Sequence, residues 1–492
     1  MHRSTLNFKM VAKVIGALVI IEATFMLLSA FVSFWYEETD FNDWLLSLLL
    51  TATVGLVLLA ISKNADKRIG RRESYLIVAT VWIVLSLLGM LPYMISGAIP
   101  RFEDAFFETI SGFTTTGATV LTDIEAQPHS ILFWRCLTQW LGGMGIIALS
   151  LAILPMFGLG SMQLYSAEAT GPTHEKLRPH IEDTAKILWG LYVILTLVEF
   201  VLLMMCGMNA FDACCHAFST ISTGGYSTKN DSVAAFHSPA VEYVIIIFMF
   251  LSGINYSLLY WAVRGKISHL LHDEEARFYI GAIVLFSLLI AIGLMVQSIT
   301  AGQGWQIESS LRRATFQVVS CMTTTGFITD NYLNWPLIVI IFFLAALPSG
   351  GSAGSTSGGI KWIRIVILLK NIHCEFRRLI HPNALIKIRL NQRLLPNSVV
   401  NKVFAFLMVY VFLTGAGILL ISGLGVNLSE AIGASITSIG NIGPSFGALS
   451  GASGNYAAFP PLAKVGMSLL MLIGRLELFT IIIVFTPTFW RK

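Results

Sequence analysis

Thr114–Ala118 read TTTGA, and nearly the same word returns as TTTGF at Thr323–Phe327, with a looser copy, STGGY, at Ser222–Tyr226. Aligned on one glycine, these words give Gly117, Gly225 and Gly326, and a degenerate fourth copy, NIGPS, adds Gly443. The intervals are 108, 101 and 117 residues. A hydroxyl residue stands six places before each glycine: Ser111, Ser219, Ser320 and Thr437. Three places before it stand Thr114, Ser222 and Thr323, but Gly440 in the fourth copy. The words therefore mark matching points of a larger repeat.

That repeat has a common plan. After an opening pair of apolar stretches (11–35 and 44–62), each unit has a long apolar segment, a short amphipathic one, the polar word and a second long apolar segment. The first unit runs 74–96, 102–113, 114–120 and 130–156. The second runs 185–208, 209–222, 223–228 and 239–263, and the third 277–299, 308–322, 323–329 and 335–373. The fourth runs 403–425, 427–440, 441–446 and 461–486. The chain thus divides into a helix pair (1–72) and four units, 73–175, 176–270, 271–395 and 396–492.

The long segments are of membrane-spanning kind. The 492 residues are 55% hydrophobic and 12% charged, against about 25% charged in a soluble domain, and stretches near the roughly 20 apolar residues of a spanning helix occur from end to end. The first is too long for a signal-peptide core and no small-residue cleavage site follows it, so it reads as a transmembrane helix. The fold class is an all-α polytopic membrane protein. Basic residues gather in alternate loops: Lys63, Lys67, Arg68, Arg71 and Arg72 in one, Lys176, Arg178 and Lys186 in another, then Arg264 and Lys266. A denser group lies over 370–402, and Arg491 and Lys492 close the chain. The opposite connections carry Glu37, Glu38, Asp40 and Asp43, or Asp123 and Glu125. Such asymmetry places the basic loops and both termini in the cytoplasm. The six cysteines (136, 206, 214, 215, 321, 374) show no metal-ligand or redox spacing and read as small core residues.

The short segments DAFFETISGF, FDACCHAFSTI, SLRRATFQVVSC and LSEAIGASITSI hold only about three helical turns at ~1.5 Å per residue. Between spanning helices they read as re-entrant, and non-helical backbone at membrane depth survives only where protein buries it or a watery cavity meets it. Four such loops around one axis form a pore. Glycine reaches the positive-φ conformations that turn successive carbonyls toward an axis, and ion filters use carbonyls to replace the hydration shell. A single TTTG would suit helix packing between small residues; four in register, each after a short helix, favour the pore.

At these residues the chain resembles the TrkH family of bacterial potassium-uptake proteins, within the wider Trk/Ktr/HKT superfamily. The likeness rests on FFETISGFTTTGATV, LTQWLGGMGIIALSLAILP, FSTISTGGYST, SCMTTTGF, GGSAGSTSGGIKWIRI and GRLELFTIIIVFTPTFWR. It implies a pseudo-fourfold pore of four helix–re-entrant loop–helix units behind two extra helices, in a homodimer of the bacterial cytoplasmic (inner) membrane. It also implies K⁺ uptake, with Rb⁺ as an analogue. The matching filter residues are Thr115, Thr116, Gly117, Thr223, Gly224, Gly225, Thr324, Thr325, Gly326, Asn441, Ile442 and Gly443. K⁺ would lie at Thr116, Gly117, Gly224, Gly225, Thr325, Gly326, Ile442 and Gly443. Some superfamily members that admit sodium carry serine at the first of these four glycine positions; glycine at all four here argues for potassium. The fourth word, which has lost the threonines, is where the largest departure from fourfold symmetry is expected.

The third unit's second helix is interrupted by PSGGSAGSTSGG, Pro348–Gly359, which does not fit GxxxxGK[ST]. Two readings stay open, a helix kink and, from the resemblance, a gating loop of Gly350, Gly351, Ser352, Ala353, Gly354, Ser355, Thr356, Ser357, Gly358 and Gly359 beneath the filter. Arg475, a charge inside the last apolar segment, is a functional candidate by depth alone. From the resemblance it stands near the pore as an obstacle to cations; otherwise it pairs with an acid such as Glu199 or Glu477. Lys361 is expected at the cytoplasmic mouth. The basic loops fit topology signalling, attraction to anionic membrane lipid or, from the resemblance, docking of a TrkA-type cytosolic ring at 370–402. Such rings bind NAD(H) or ATP/ADP. No organic cofactor is expected on this chain, and no nucleic-acid partner.

Two other functions compete. A K⁺/H⁺ or K⁺/Na⁺ symporter would need intramembrane carboxylates; the candidates are Glu22, Glu199, Glu242 and Glu477. An intramembrane hydrolase would need a nucleophile and base or HExxH; the motif is absent, and His216 reads as a hydrogen-bonded helix residue. The chain is therefore not expected to be an enzyme.

Overall fold

The structure, a computed structural model, describes residues 6–65, 70–145, 181–384, 386–391, 393–452 and 454–491. The distal part of segment 130–156 and the basic residues Lys67, Arg68, Lys176, Arg178 and Lys492 lie outside the described residues. The described chain is helical apart from turns and one short antiparallel pairing of Arg389–Leu390 with Arg393–Leu394.

Six described helices are long and apolar enough to cross a bilayer: Phe8–Trp35, Phe41–Ile61, Arg72–Ile95, Ala185–Met205, Glu274–Thr300 and Asn397–Gly423. In lipid, apolar surface does not drive helices together, so they meet where small residues let backbones approach. The opening pair shows this. Phe41–Ile61 buries only Trp44, Ser47, Thr51 and Gly55, and a Cβ built on Gly16 of the first helix would lie 3.0 Å from the Gly55 carbonyl. The outer face of that second helix, Leu49 and Leu56 included, is left exposed as a lipid-facing surface.

Four shorter helices, Phe102–Phe113, Ala210–Ile221, Ile307–Met322 and Leu428–Gly440, each lead into a polar word. Each carries an acid in its first turn: Glu103 and Asp104, Asp212, Glu308 and Glu430. Acids there complement the positive helix end. The negative ends consequently point at the words.

The second apolar segments of the second and fourth units are not the continuous helices that their hydropathy predicts. Pro239–Ser252 meets Tyr256–Val263 at 111°, and Pro461–Arg475 meets Phe479–Phe485 at 116°. In the first unit, helix His129–Gly143 ends just before Gly145, whose φ is 73°. The third unit splits as expected, between Leu337–Ala346 and Trp362–Ile380. Hydropathy averaged over a spanning length misses the other breaks because Gly253–Asn255 and Glu477 each lie within otherwise apolar stretches.

Candidate functional site

The four words share one backbone conformation. Thr115, Thr223, Thr324 and Asn441, each two places before its glycine, have φ of 53°, 54°, 57° and 53°, and Gly117, Gly225, Gly326 and Gly443 have φ of 80°, 78°, 84° and 90°. Left-handed backbone is a true outlier for a β-branched residue and costs about 1–3 kcal/mol each time. The helix ends impose it. The N–H groups of Thr116, Gly224, Thr325 and Ile442 reach back five residues to the carbonyls of Ser111, Ser219, Ser320 and Thr437, at 2.9, 2.8, 2.9 and 2.9 Å. This bond with a left-handed residue inside it is how helices close their last carbonyls. The hydroxyl residue six before each glycine thus supplies the carbonyl that folds its word.

The words then close on one another. A Cβ built on Gly117 would strike the carbonyl oxygen of Gly224, one on Gly225 that of Thr325, and one on Gly326 that of Ile442; one on Gly443 would lie 2.5 Å from that of Thr116. Each glycine therefore faces the carbonyl just before the glycine of the next unit, and the fourth returns to the first. All four glycines line a single cavity of about 100 Å³. None of its lining residues is acidic, so attraction of a cation falls to carbonyl dipoles and the four negative helix ends. The fourth word keeps the backbone of the others. Its departure is confined to side chains: Asn441, which tolerates left-handed backbone well, donates to Thr116 Oγ1 at 3.0 Å and to the Met471 carbonyl at 2.9 Å.

The loop Gly350–Gly359 contacts the second, third and fourth units directly and is tied to the first through Arg475. The Gly358 N–H donates to Thr324 Oγ1 at 2.7 Å. The Thr356 hydroxyl donates to the carbonyls of Ile221 (3.1 Å) and Ser252 (3.3 Å) in the second unit. A Cβ on Gly358 would lie 2.5 Å from the Gly440 carbonyl and 3.0 Å from Asn441 Cβ in the fourth. Arg475 links the loop to the first unit, donating through Nη1 to the Thr356 carbonyl at 2.8 Å and through Nη2 to those of Gly142 (2.8 Å) and Gly143 (3.0 Å). Glu275 Oε1 staples the loop's flanks by accepting from Ala353 N–H at 2.6 Å and Ile363 N–H at 3.0 Å. Within the loop, Ser357 Oγ accepts from Gly351 N–H at 3.0 Å and meets Ser355 Oγ at 2.6 Å. These bonds satisfy backbone and hydroxyl groups that the broken helix would otherwise strand in the membrane.

Residues 44–492 match the family model TrkH, described as a cation transport protein. The chain belongs to the TrkH family. It is 39% identical over 491 residues to the Trk system potassium uptake protein TrkH of Salmonella typhimurium, covering 99% of this chain and all of that one. Over 497 residues it is 33% identical to the Trk system potassium uptake protein TrkG of Escherichia coli K12, with 99% and 100% covered. The crystal structure of the potassium transporter TrkH from Vibrio parahaemolyticus superposes with a TM-score of 0.88 at 33% identity, covering 99% of this chain and 100% of that one. TrkH is a family of transporters rather than enzymes, which sets aside the hydrolase reading.

In this TrkH-family chain the twelve residues singled out in the words come together around one ring, and the loop residues lie against it. Two expectations need correction. Glu477, offered as an ion-pair partner for Arg475, takes other partners: it sits in the break with φ 61° and pairs with Arg364 and, at 3.7 Å, with Lys361. Lys361 is not at an open mouth but 4% exposed, because the break turns Glu477 toward the end of the loop.

Sequence reading named His216 as a hydrogen-bonded helix residue but missed Glu108 and Gln317, its counterparts behind the ring. Nine places before the first three glycines stand Glu108, His216 and Gln317, polar residues on buried helix faces. Glu108 accepts from Arg135 Nε at 2.8 Å, from the Thr119 hydroxyl at 2.9 Å and from Val120 N–H at 2.8 Å. His216 lies 3.0 Å from Ser227 Oγ and 2.8 Å from the Asp212 carbonyl. Carrying the repeat alignment back from His216 to that ninth position in the other units would have found Glu108 and Gln317. Glu275 gave no such signal, since it looks like one more acid at a helix start.

Proposed function

We propose that this TrkH-family chain takes up potassium, with rubidium as an analogue, across the bacterial cytoplasmic membrane, and that the ring of words is its selectivity filter. The carrying observation is the closed succession of glycines and carbonyls, Gly117 to Gly224, Gly225 to Thr325, Gly326 to Ile442 and Gly443 to Thr116. A ring of neutral carbonyls can replace an ion's hydration shell without burying a carboxylate at mid-depth. The names of the relatives, potassium uptake proteins throughout, support the same ion.

The loop Gly350–Gly359 with Arg475 is the gate of this reading, since a cation leaving the ring meets a guanidinium bound to the loop itself. The basic stretch 370–402 receives a cytosolic TrkA-type ring, which carries the NAD(H) or ATP/ADP site. The chain works as a homodimer with both termini in the cytoplasm. Symport remains the second reading on one observation: both carboxyl oxygens of Glu22 are buried without a hydrogen-bond partner among the described residues. Uptake of ⁸⁶Rb⁺ into liposomes with and without proton and sodium gradients separates the two. Flux that persists without either gradient supports conduction, and flux that stops supports symport.

A further inference from the structure

The second word lacks what locks the first and third. In those, the hydroxyl just before the glycine pairs with the one three before it: Thr116 with Thr114 at 2.8 Å and Thr325 with Thr323 at 2.7 Å. In the second word the residue before the glycine is Gly224, which has no side chain, and Ser222 bonds instead to the Ser219 carbonyl at 3.2 Å. Two consecutive glycines leave this backbone with the most freedom of the four.

A side chain from the neighbouring unit takes the vacant place. Gln139, on the helix His129–Gly143, is fully buried. Its Nε2 donates to the Gly224 carbonyl at 2.7 Å, and its Oε1 accepts from Tyr226 N–H at 3.1 Å. One carboxamide thus bonds the backbone groups on both sides of Gly225. Among the described residues, the carbonyls of Thr116, Thr325 and Ile442 receive no such side-chain bond. Gly224 is not a positive-φ glycine; what excludes a side chain there is Gln139 itself, whose Oε1 and Nε2 would lie 2.5 and 2.8 Å from its Cβ. One helical turn before Gln139, Arg135 lies over the Tyr226 ring at 4.2 Å, so the same helix face grips the residue that follows.

We propose that Gln139 is a specificity-determining positioning residue, whose carboxamide replaces the missing threonine pair and fixes the Gly224 carbonyl in the ring. The inference rests on the potassium reading. A carbonyl oxygen has two lone pairs, so it accepts the amide from behind while still facing the ring. Losing the amide frees the peptide before Gly225 to rotate, which widens the range of ions the ring accepts before it reduces total flux.

The test uses purified full-length protein in liposomes and reads ⁸⁶Rb⁺ uptake together with the Na⁺ concentration that halves it. Gln139→Glu keeps size and the acceptor for Tyr226 but loses the donor to Gly224. We expect discrimination against Na⁺ to fall about tenfold, the scale of one buried hydrogen bond, with uptake itself much less affected. Gly224→Thr alone, overlapping Gln139, should lose uptake. The double variant Gln139→Ala/Gly224→Thr restores a side chain where room has been made, and should discriminate better than either single variant. Wild-type discrimination in both Gln139→Glu and Gln139→Ala, or a double variant no better than the poorer single, would overturn the inference while leaving the potassium reading standing. If Gln139→Ala does not fold, Gln139→Glu decides alone. Wild-type protein that does not discriminate at all would remove both.

Discussion

The backbone N–H of Gly358 donates to the side-chain hydroxyl of Thr324 at 2.7 Å, so the loop beneath the ring is bonded to a residue of the ring itself. Thr324 is one of the three threonines held at positive φ. Moving the loop therefore releases a group inside a strained word, which couples the proposed gate to the proposed filter.

Removing that acceptor should favour the displaced loop. Thr324→Val leaves the Gly358 N–H buried and unbonded when the loop is in place, a cost of about 1–3 kcal/mol. We expect ⁸⁶Rb⁺ uptake in the absence of any partner to rise by roughly an order of magnitude, with Thr324→Ser close to wild type. Equal uptake by all three proteins would separate the loop from the ring.

On the proposed gating reading, Arg475 acts through geometry as well as charge. Its fork reaches carbonyls on the loop and on the first unit at once, which a lysine's single ammonium does not reproduce. Arg475→Ala should give the largest partner-independent uptake and Arg475→Lys an intermediate one. If lysine matched arginine, charge alone would account for the obstacle.

Glu275 offers a test of the loop's flanks. A single oxygen takes both N–H groups, and glutamine retains such an oxygen. Glu275→Gln should therefore stay near wild type in uptake, while Glu275→Ala raises uptake or lowers the melting temperature. The reverse order would show that the carboxylate charge, and not the staple, matters.

Behind the ring, Glu108→Ala would leave Arg135 buried without its charge partner, since the two side chains are 0% and 1% exposed. Breaking a buried pair costs about 3–5 kcal/mol. A marked drop in the thermal stability of the detergent-solubilised protein should follow, with a smaller one for Glu108→Gln, which still accepts from Thr119 and Val120. Unchanged stability would mean that the pair is not what holds this limb.

The repeat made much of this molecule legible from sequence. A glycine word after each sub-spanning amphipathic stretch is a local signal, and it survives even where NIGPS has lost the threonines. Contacts made across units left no local trace. Gln139 reads as one polar residue in an apolar helix, and its partners Gly224 and Tyr226 lie in another unit. The breaks at Gly253–Asn255 and Leu476–Leu478 were hidden for a related reason. Hydropathy measures transfer into lipid and not backbone direction, so a few residues such as Gly253–Asn255 or Glu477 inside a long apolar stretch barely change its average.

The ring itself is most directly tested by ⁸⁶Rb⁺ uptake into liposomes under an inside-negative potential, comparing wild type with Gly225→Ala and using K⁺ and Na⁺ as competitors. Gly225 has φ 78° and its Cβ direction is filled by the Thr325 carbonyl, so the methyl group must displace a ring oxygen. We expect K⁺ to suppress wild-type uptake where equal Na⁺ does not, and Gly225→Ala to lose either the uptake or this preference. Uptake by Gly225→Ala with wild-type rate and unchanged preference for K⁺ would contradict the assignment of these words as the selectivity filter.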